Sequence, residues 1–139
     1  MHLRFVPHLA MLLSCASIGC SDLGDPRQPM AVDDAAISFA RDVQPIFNAR
    51  CVVCHGAVNP LPAGLDLRAG NSYAHLVGRT STGYAPNLRV SPGDTLASVI
   101  YGKITGTNFG EQMPPGFFLI PPSERDRIVA WILAGAPNN

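Results

Sequence analysis

The chain predicts a small, loop-rich, all-α domain of three to five helices, wrapped around one covalently bound prosthetic group. Three observations lead there. Apolar residues recur at helical spacing (i, i+3, i+4) in three segments, Val43/Ile46/Phe47, Leu96/Val99/Ile100 and Ile128/Trp131/Ile132. Gly and Pro, at 13 each in 139 residues, exceed average usage without reaching the level of a disordered chain. Cys51-Val52-Val53-Cys54-His55 places two thiols and an imidazole at i, i+3 and i+4, one face of a single helical turn.

That five-residue pattern, C-x-x-C-H, is the one used for c-type haem attachment. The two thiols can add to the two vinyl groups of haem as thioethers, and the imidazole then falls beneath the iron as its proximal ligand. Two other readings compete. A redox disulfide of the thioredoxin kind wants a βαβ context, and no alternating strand and helix signals surround Cys51. A zinc site needs four ligands. The other cysteines, Cys15 and Cys20, lie in a segment expected to be removed or modified, and His55 and His75 do not complete a usual site without strain.

Taken in order, residues 1–19 read as a signal peptide of the lipoprotein type. Arg4 and the amino terminus supply positive charge, Leu9 to Leu13 begin a short apolar core, and Ala16-Ser17-Ile18-Gly19 sets small residues before Cys20. This looks like a lipobox, with Cys20 as the lipidated residue; Cys15 is the weaker candidate, and an ordinary secretory signal is the plain alternative. Residues 20–36, with Pro26, Pro29 and aspartates at 22, 25, 33 and 34, read as a tether. The expected location is the periplasmic side of a bacterial membrane, held by a lipid anchor. One lysine against nine arginines, no basic run and a net charge of zero give no sign of nucleic acid.

The domain occupies residues 37–136. Asp42 is expected to cap a helix running to Cys54, with Pro45 in its first turn. After His55 the chain turns irregular; Ser72 is expected to cap a short helix holding Tyr73, Leu76 and Val77. His75 is the only other histidine outside the signal, and it is either a second axial ligand or a hydrogen-bonding surface residue. Residues 78–91 lack a period and are expected to cross the edge of the haem, with Arg79 and Arg89 as candidates for its propionates. Asp94 is expected to cap a helix from Thr95 to about Lys103, on which Tyr101 is a further propionate candidate. Met113 lies in a proline-stiffened loop well downstream of His55, and the only other methionine left after export, Met30, is in the tether. Met113 is therefore the candidate sixth ligand, with a buried core methionine as the plain alternative. Ser123 is expected to cap the last helix, whose apolar side is Ile128, Val129, Trp131, Ile132 and Leu133 and which Gly135 ends.

Several stretches together resemble the planctomycete-type cytochrome c family, a branch of the class I c-type cytochromes. They are Phe39 to Phe47 running into Cys51–Gly56, Gly64 to Arg68, Ser72-Tyr73-Ala74, Leu76-Val77-Gly78, Val90 to Asp94, Met113 to Gly116 and Ile128 to Ala136. The likeness covers most of residues 39–136; the haem motif is its most specific part and the Met-Pro segment the next. It implies a class I cytochrome c fold, in which a methionine loop returns over the second haem face and the first and last helices cross beside the haem. It also implies an electron carrier rather than an enzyme, with one covalent haem c, His55 and Met113 on the iron, and redox protein partners. An open sixth position, as in a gas sensor or peroxidase-like protein, is the competing function; no distal acid–base pair beyond His75 supports it.

Overall fold

The computed structural model describes residues 36–139. The signal segment, Cys20 and the tether up to residue 35 lie outside the described residues. Within them the chain forms a small, loop-rich, all-helical domain with no sheet.

The first helix starts earlier than Asp42. Ser38 is its cap: the Ser38 hydroxyl accepts from Arg41 N at 3.3 Å, and the Asp42 carboxylate accepts from Ser38 N at 2.8 Å. The two bonds satisfy orphan donors reciprocally, in the manner of a capping box. Asp42 is therefore the cap's partner and not the cap. Phe39–Val43 is a π-helical turn closed by Gln44 N on Phe39 O, and it leads into α1, Gln44–Arg50. The wide turn carries the chain into Pro45, which has no N–H to offer.

The α-helix also stops short of Cys54. Cys51 N and Val52 N both donate to Phe47 O, at 2.9 and 3.0 Å, so the i→i−4 ladder loses its register at Cys51. Two successive β-branched residues, Val52 and Val53, do little to restore it. Residues 51–57 continue as tight turns. One helical turn survives across the motif, with His55 N on Cys51 O at 2.8 Å.

Helix α2 (Ser72–Leu76) is capped at Asn71 with no side-chain bond to its backbone. Ser72, fully buried, donates its hydroxyl inward to the Gln44 side-chain carbonyl, while Gln44 Nε2 reaches Asn48 and Leu67 O. The expected Ser72 cap is thus a core hydrogen bond tying α2 to α1. Residues 78–91 are irregular but held by single backbone bridges, Val77 to Val90, Thr80 to Leu88 and Leu88 to Ser98.

Helix α3 spans Val99–Thr105, four residues later than expected. Asp94 caps a separate turn, accepting from Ala97 N at 3.0 Å, and Ser98 Oγ closes that turn on Asp94 O at 2.6 Å. Leu96 consequently stays 71 % exposed instead of joining the Val99 face.

Helix α4 (Pro122–Leu133) follows Pro121 with no side-chain cap, so Ser123 sits inside its first turn. Its end is a Schellman arrangement: Gly135, at φ +92°, donates to Ile132 O and Ala136 to Trp131 O. Ile128, Trp131 and Ile132 are buried, whereas Leu133 is 58 % exposed.

The first and last helices meet through aromatic rings. Phe39 lies 5.1 Å from Trp131, 5.3 Å from Tyr73 and 6.2 Å from Phe47, centroid to centroid. Trp131 Nε1 donates to Pro137 O and Tyr73 Oη to Ala136 O, both at 2.9 Å, so the buried polar tips are satisfied. Asn139 then belts the end of the chain to the first helix, accepting from Ala40 N and Phe39 N at 3.0 Å. At the other end of the helices Arg50 grips Glu124 with two bonds of 2.8 Å. That pair is solvent-screened and orients the helices; truncating a buried aromatic such as Trp131 typically costs about 3–5 kcal/mol.

Asp66 is a buried carboxylate (3 % exposed) that accepts from Arg68 Nε, Nη2 and backbone N and from Asn71 Nδ2. The Arg68 bonds hold its pKa well below the ordinary carboxylate range. A depressed folded pKa adds stability above the unfolded value of about 3.9, lost as pH falls through the folded value. Asp66→Asn should therefore lower the melting temperature at pH 7 and flatten its fall between about pH 4 and 2. Parallel pH profiles for the two proteins would contradict this.

Candidate cofactor-binding cavity

The turns after α1, the loop before α4 and one side of α3 enclose a cavity of about 1050 Å³. It lies at the top of the ~300–1,000 Å³ range usual for small-molecule pockets. Cys51, Cys54 and His55 line it from one segment, and Met113 with Pro114 and Pro115 lines it from another. Residues far apart in sequence are thus brought to one space. Phe47, Leu67, Leu76, Val99, Ile104 and Ile120 form its apolar wall.

Each segment has a local reason for its place. The motif leaves α1 through the shared Phe47 carbonyl, and Leu67 N returns to His55 O at 2.7 Å. Gly56 is required directly after the motif, because a Cβ there would lie 2.8 Å from both Arg68 Cγ and Val52 Cγ1. The Met113 loop docks on the end of α3: Met113 N donates to Lys103 O at 2.8 Å and Gln112 Nε2 to Ile104 O at 3.0 Å.

Among the described residues the cavity wall carries cations and no carboxylate. Arg50 is paired with Glu124. Arg89 bonds only carbonyl and hydroxyl oxygens. Lys103 donates to Glu111 O at 3.1 Å and stands 5.0 Å above the Tyr84 ring, which itself packs on Phe109. A ligand of this cavity is therefore expected to be largely apolar with negative charge at its edge.

Several candidates fall elsewhere. His75 does not line the cavity; its Nδ1 sits 3.3 Å from both Gly64 O and Asp66 N. Arg79 and Tyr101 are also off the wall, so of the three propionate candidates only Arg89 reaches it. Trp131 is core and not a cavity residue. Lys103 and Tyr84 do line the cavity, and the sequence reading passed over both. Lys103 follows Val99 and Ile100 at i+4 and i+3, so the helical period that placed those residues could have placed it.

Burial is the main cause that lowers the His55 pKa, partly opposed by the backbone of Leu65 and Pro62 beside the ring. The imidazole is thus biased toward its neutral form, the form that binds metal. Cys51 and Cys54 are free thiols. Burial, with Cys54 nearby, pushes the Cys51 thiol up to about 12, the opposite of an activated redox cysteine. Among the described residues no group of three or more His, Cys, Asp or Glu side chains is assembled to hold a metal ion. What remains is a neutral nitrogen donor and a thioether donor on one cavity, with two thiols beside them. A second hollow of about 600 Å³, lined by residues such as Gln44, Asn48 and Tyr73, has no cysteine, histidine or methionine on its wall.

Comparisons with protein-family models, with curated proteins and with solved structures find no match to this chain.

In the chain carrying free thiols, Cys54 should be alkylated first, because it is exposed whereas Cys51 is half-buried and its thiolate is scarce. Peptide mapping after brief iodoacetamide treatment at pH 8 should show Cys51 slower by roughly tenfold or more. Equal rates would contradict the assigned environments.

Proposed function

We propose that this protein is a single-haem c-type cytochrome of class I fold that carries electrons. The observation that carries the reading is the meeting of Cys51, Cys54, His55 and Met113 on one apolar cavity. The resemblance to the planctomycete-type cytochromes adds to it, and so does the cavity's charge: haem is a flat apolar group with two carboxylates, and the wall offers Arg89 and Lys103 without an acidic competitor.

In this reading Cys51 and Cys54 hold haem through thioethers, His55 gives the proximal nitrogen and Met113 the distal sulfur. Bound haem would supply a one-electron Fe(III)/Fe(II) couple. The chain's own part is to keep that couple dry, rigid and closed. Phe47, Leu67, Leu76 and Ile104 exclude water, which disfavours the extra charge of the oxidised state. The docking of Met113 N on Lys103 O holds the sulfur-bearing loop on the cavity, where Met113 would serve as the second iron ligand and keep oxygen out. Val53 and Phe118, 69 % and 80 % exposed, line the cavity and also face outward. They form an apolar rim beside Cys54 where redox partners would make contact. With one lysine in the chain, steering of such partners should depend only weakly on salt.

Export and lipid anchoring at Cys20 belong to the same proposal. No helix among the described residues is long and apolar enough to cross a membrane. Cys20→Ser should release the protein from the membrane fraction; continued attachment would count against the lipid anchor.

The deciding experiment is an optical spectrum of the chain expressed with c-haem maturation machinery, oxidised and reduced, with carbon monoxide then added to the reduced form. A covalent low-spin haem indifferent to carbon monoxide is expected. Met113→Ala should lower the reduction potential and admit carbon monoxide, and His55→Ala should abolish the low-spin form. A high-spin wild-type spectrum that shifts with carbon monoxide would move the function to a sensor or peroxidase. Absence of covalent haem would sink the reading.

A further inference from the structure

His55 Nδ1 is the one buried side-chain polar atom among the described residues without a hydrogen-bond partner. Pro62, Ala63 and Leu65 line the same cavity as His55, and just past them Leu67 N donates to His55 O at 2.7 Å. The first three belong to a segment with almost no regular structure of its own: Pro62–Gly64 is a single 3-10 turn, and inside it Ala63 sits at φ +54°. A non-glycine residue keeps that left-handed conformation only where its surroundings hold it there.

Those surroundings can be named. Ala63 O accepts from Arg89 Nη2 at 2.7 Å and from Thr82 Oγ1 at 3.1 Å. Arg89 Nη2 also reaches Thr82 Oγ1 at 3.3 Å, and Nη1 donates to His75 O at 2.9 Å. The arginine thereby joins the turn to the end of α2. Its own backbone is fixed on both sides, donating to Arg79 O at 2.7 Å and accepting from Ile100 N at 3.1 Å. Among the described residues Arg89 makes no ion pair with a carboxylate. A half-buried guanidinium that spends its fork on backbone carbonyls is a clamp on those carbonyls, and this one holds the turn that faces His55.

We propose that Arg89 is a positioning residue for His55, clamping the Pro62–Leu65 turn so that one of its carbonyls takes the Nδ1 proton and the other ring nitrogen is left to the cavity. This inference rests on the haem reading above and deepens it. Metal-binding histidines depend on such a partner, which fixes the tautomer and raises the basicity of the ligand nitrogen. A more basic imidazole favours the oxidised iron, so loss of the clamp should raise the reduction potential. Arg89→Lys isolates this effect, because it keeps the positive charge beside the site and removes the planar fork.

The test uses the full-length chain matured with haem, as wild type, Arg89→Lys, and Arg89→Lys combined with Ala63→Gly. Reduction potential and amide exchange are read on each. Gly64 N and Leu65 N close the turn on Leu61 O and Pro62 O, so their exchange reports its integrity. In Arg89→Lys the potential should rise and exchange at these two amides should quicken at least tenfold, with the exchange of α4 unchanged. Ala63→Gly should restore both, since glycine adopts φ +54° without strain. An unchanged potential with unchanged exchange overturns the clamp while leaving covalent haem, and thus the haem reading, standing. Faster exchange spread over the whole domain and not rescued by Ala63→Gly overturns it too. Should the wild type carry no covalent haem, the function falls separately. The clamp is then judged on exchange alone: tenfold faster turn amides in Arg89→Lys uphold it and equal rates overturn it.

Discussion

Most of the groups that face the cavity come from segments outside the α-helices, so the site depends on what pins the few helices. That is the packing of Phe39 on Trp131, with Tyr73 and Phe47 around it. The contact joins the first and last helices, and the belt from Asn139 to Phe39 and Ala40 keeps residues 134–139 from fraying away from it. From this cluster α1 runs toward Cys51, and the Arg50–Glu124 pair sets the far ends of the two helices side by side.

The core and the cavity share a wall. Phe47, Leu67, Leu76, Ile104 and Ile120 belong to the buried core and also line the cavity. A domain this small buries a limited fraction of its surface and often needs a staple, a metal or another aid to stability. A flat apolar group held by two thioethers would cover that wall and close the 51–57 turns on themselves. Folding and cofactor retention are then parts of one free-energy balance, as for other small domains that bind metals. The same coupling would account for the share of glycine and proline: long connections would be tolerable with their inner sides resting on such a ligand.

Much of the helical content was legible because the 3.6-residue period survives in Val43/Ile46/Phe47 and in Ile128/Trp131/Ile132. The boundaries were less so. At Ser38 the cap lies upstream of the apolar run because a π-helical turn intervenes, and period alone does not announce such a turn. At Asp94 an isolated capped turn imitates a helix start, and Leu96 at helical spacing reinforced the illusion while pointing to solvent. Cys51, Cys54, His55 and Met113 reach one cavity because two of the segments carry recognisable residue patterns. Tyr84 could not be placed in the same way, and Arg89 could be named only beside Arg79 and Tyr101, which do not reach the wall. The positions of Tyr84 and Arg89 depend on single backbone bridges and on hydrogen bonds to carbonyls, which leave no mark on residue type.

The two sides of the cavity are held unequally. On the His55 side the 62–66 segment is fixed by Arg89, Thr82, His75 and the Asp66–Arg68–Asn71 group, through bonds from several parts of the chain. On the Met113 side the bonds run mainly to the end of α3, and Phe117, Phe118 and Leu119 follow in solvent. Regions with few buried contacts open at lower free energy than those tied into the core. The Met113 side is therefore the side expected to open first on warming, ahead of the His55 side. An electron carrier needs the opposite of frequent opening, because each lost bond changes the potential and adds reorganisation to the transfer. The short backbone bond from Met113 to Lys103 is what keeps this looser side shut. It ends on the helix whose Val99, Ile100 and Ile104 also face the cavity, so a well-filled cavity and a closed methionine loop support each other.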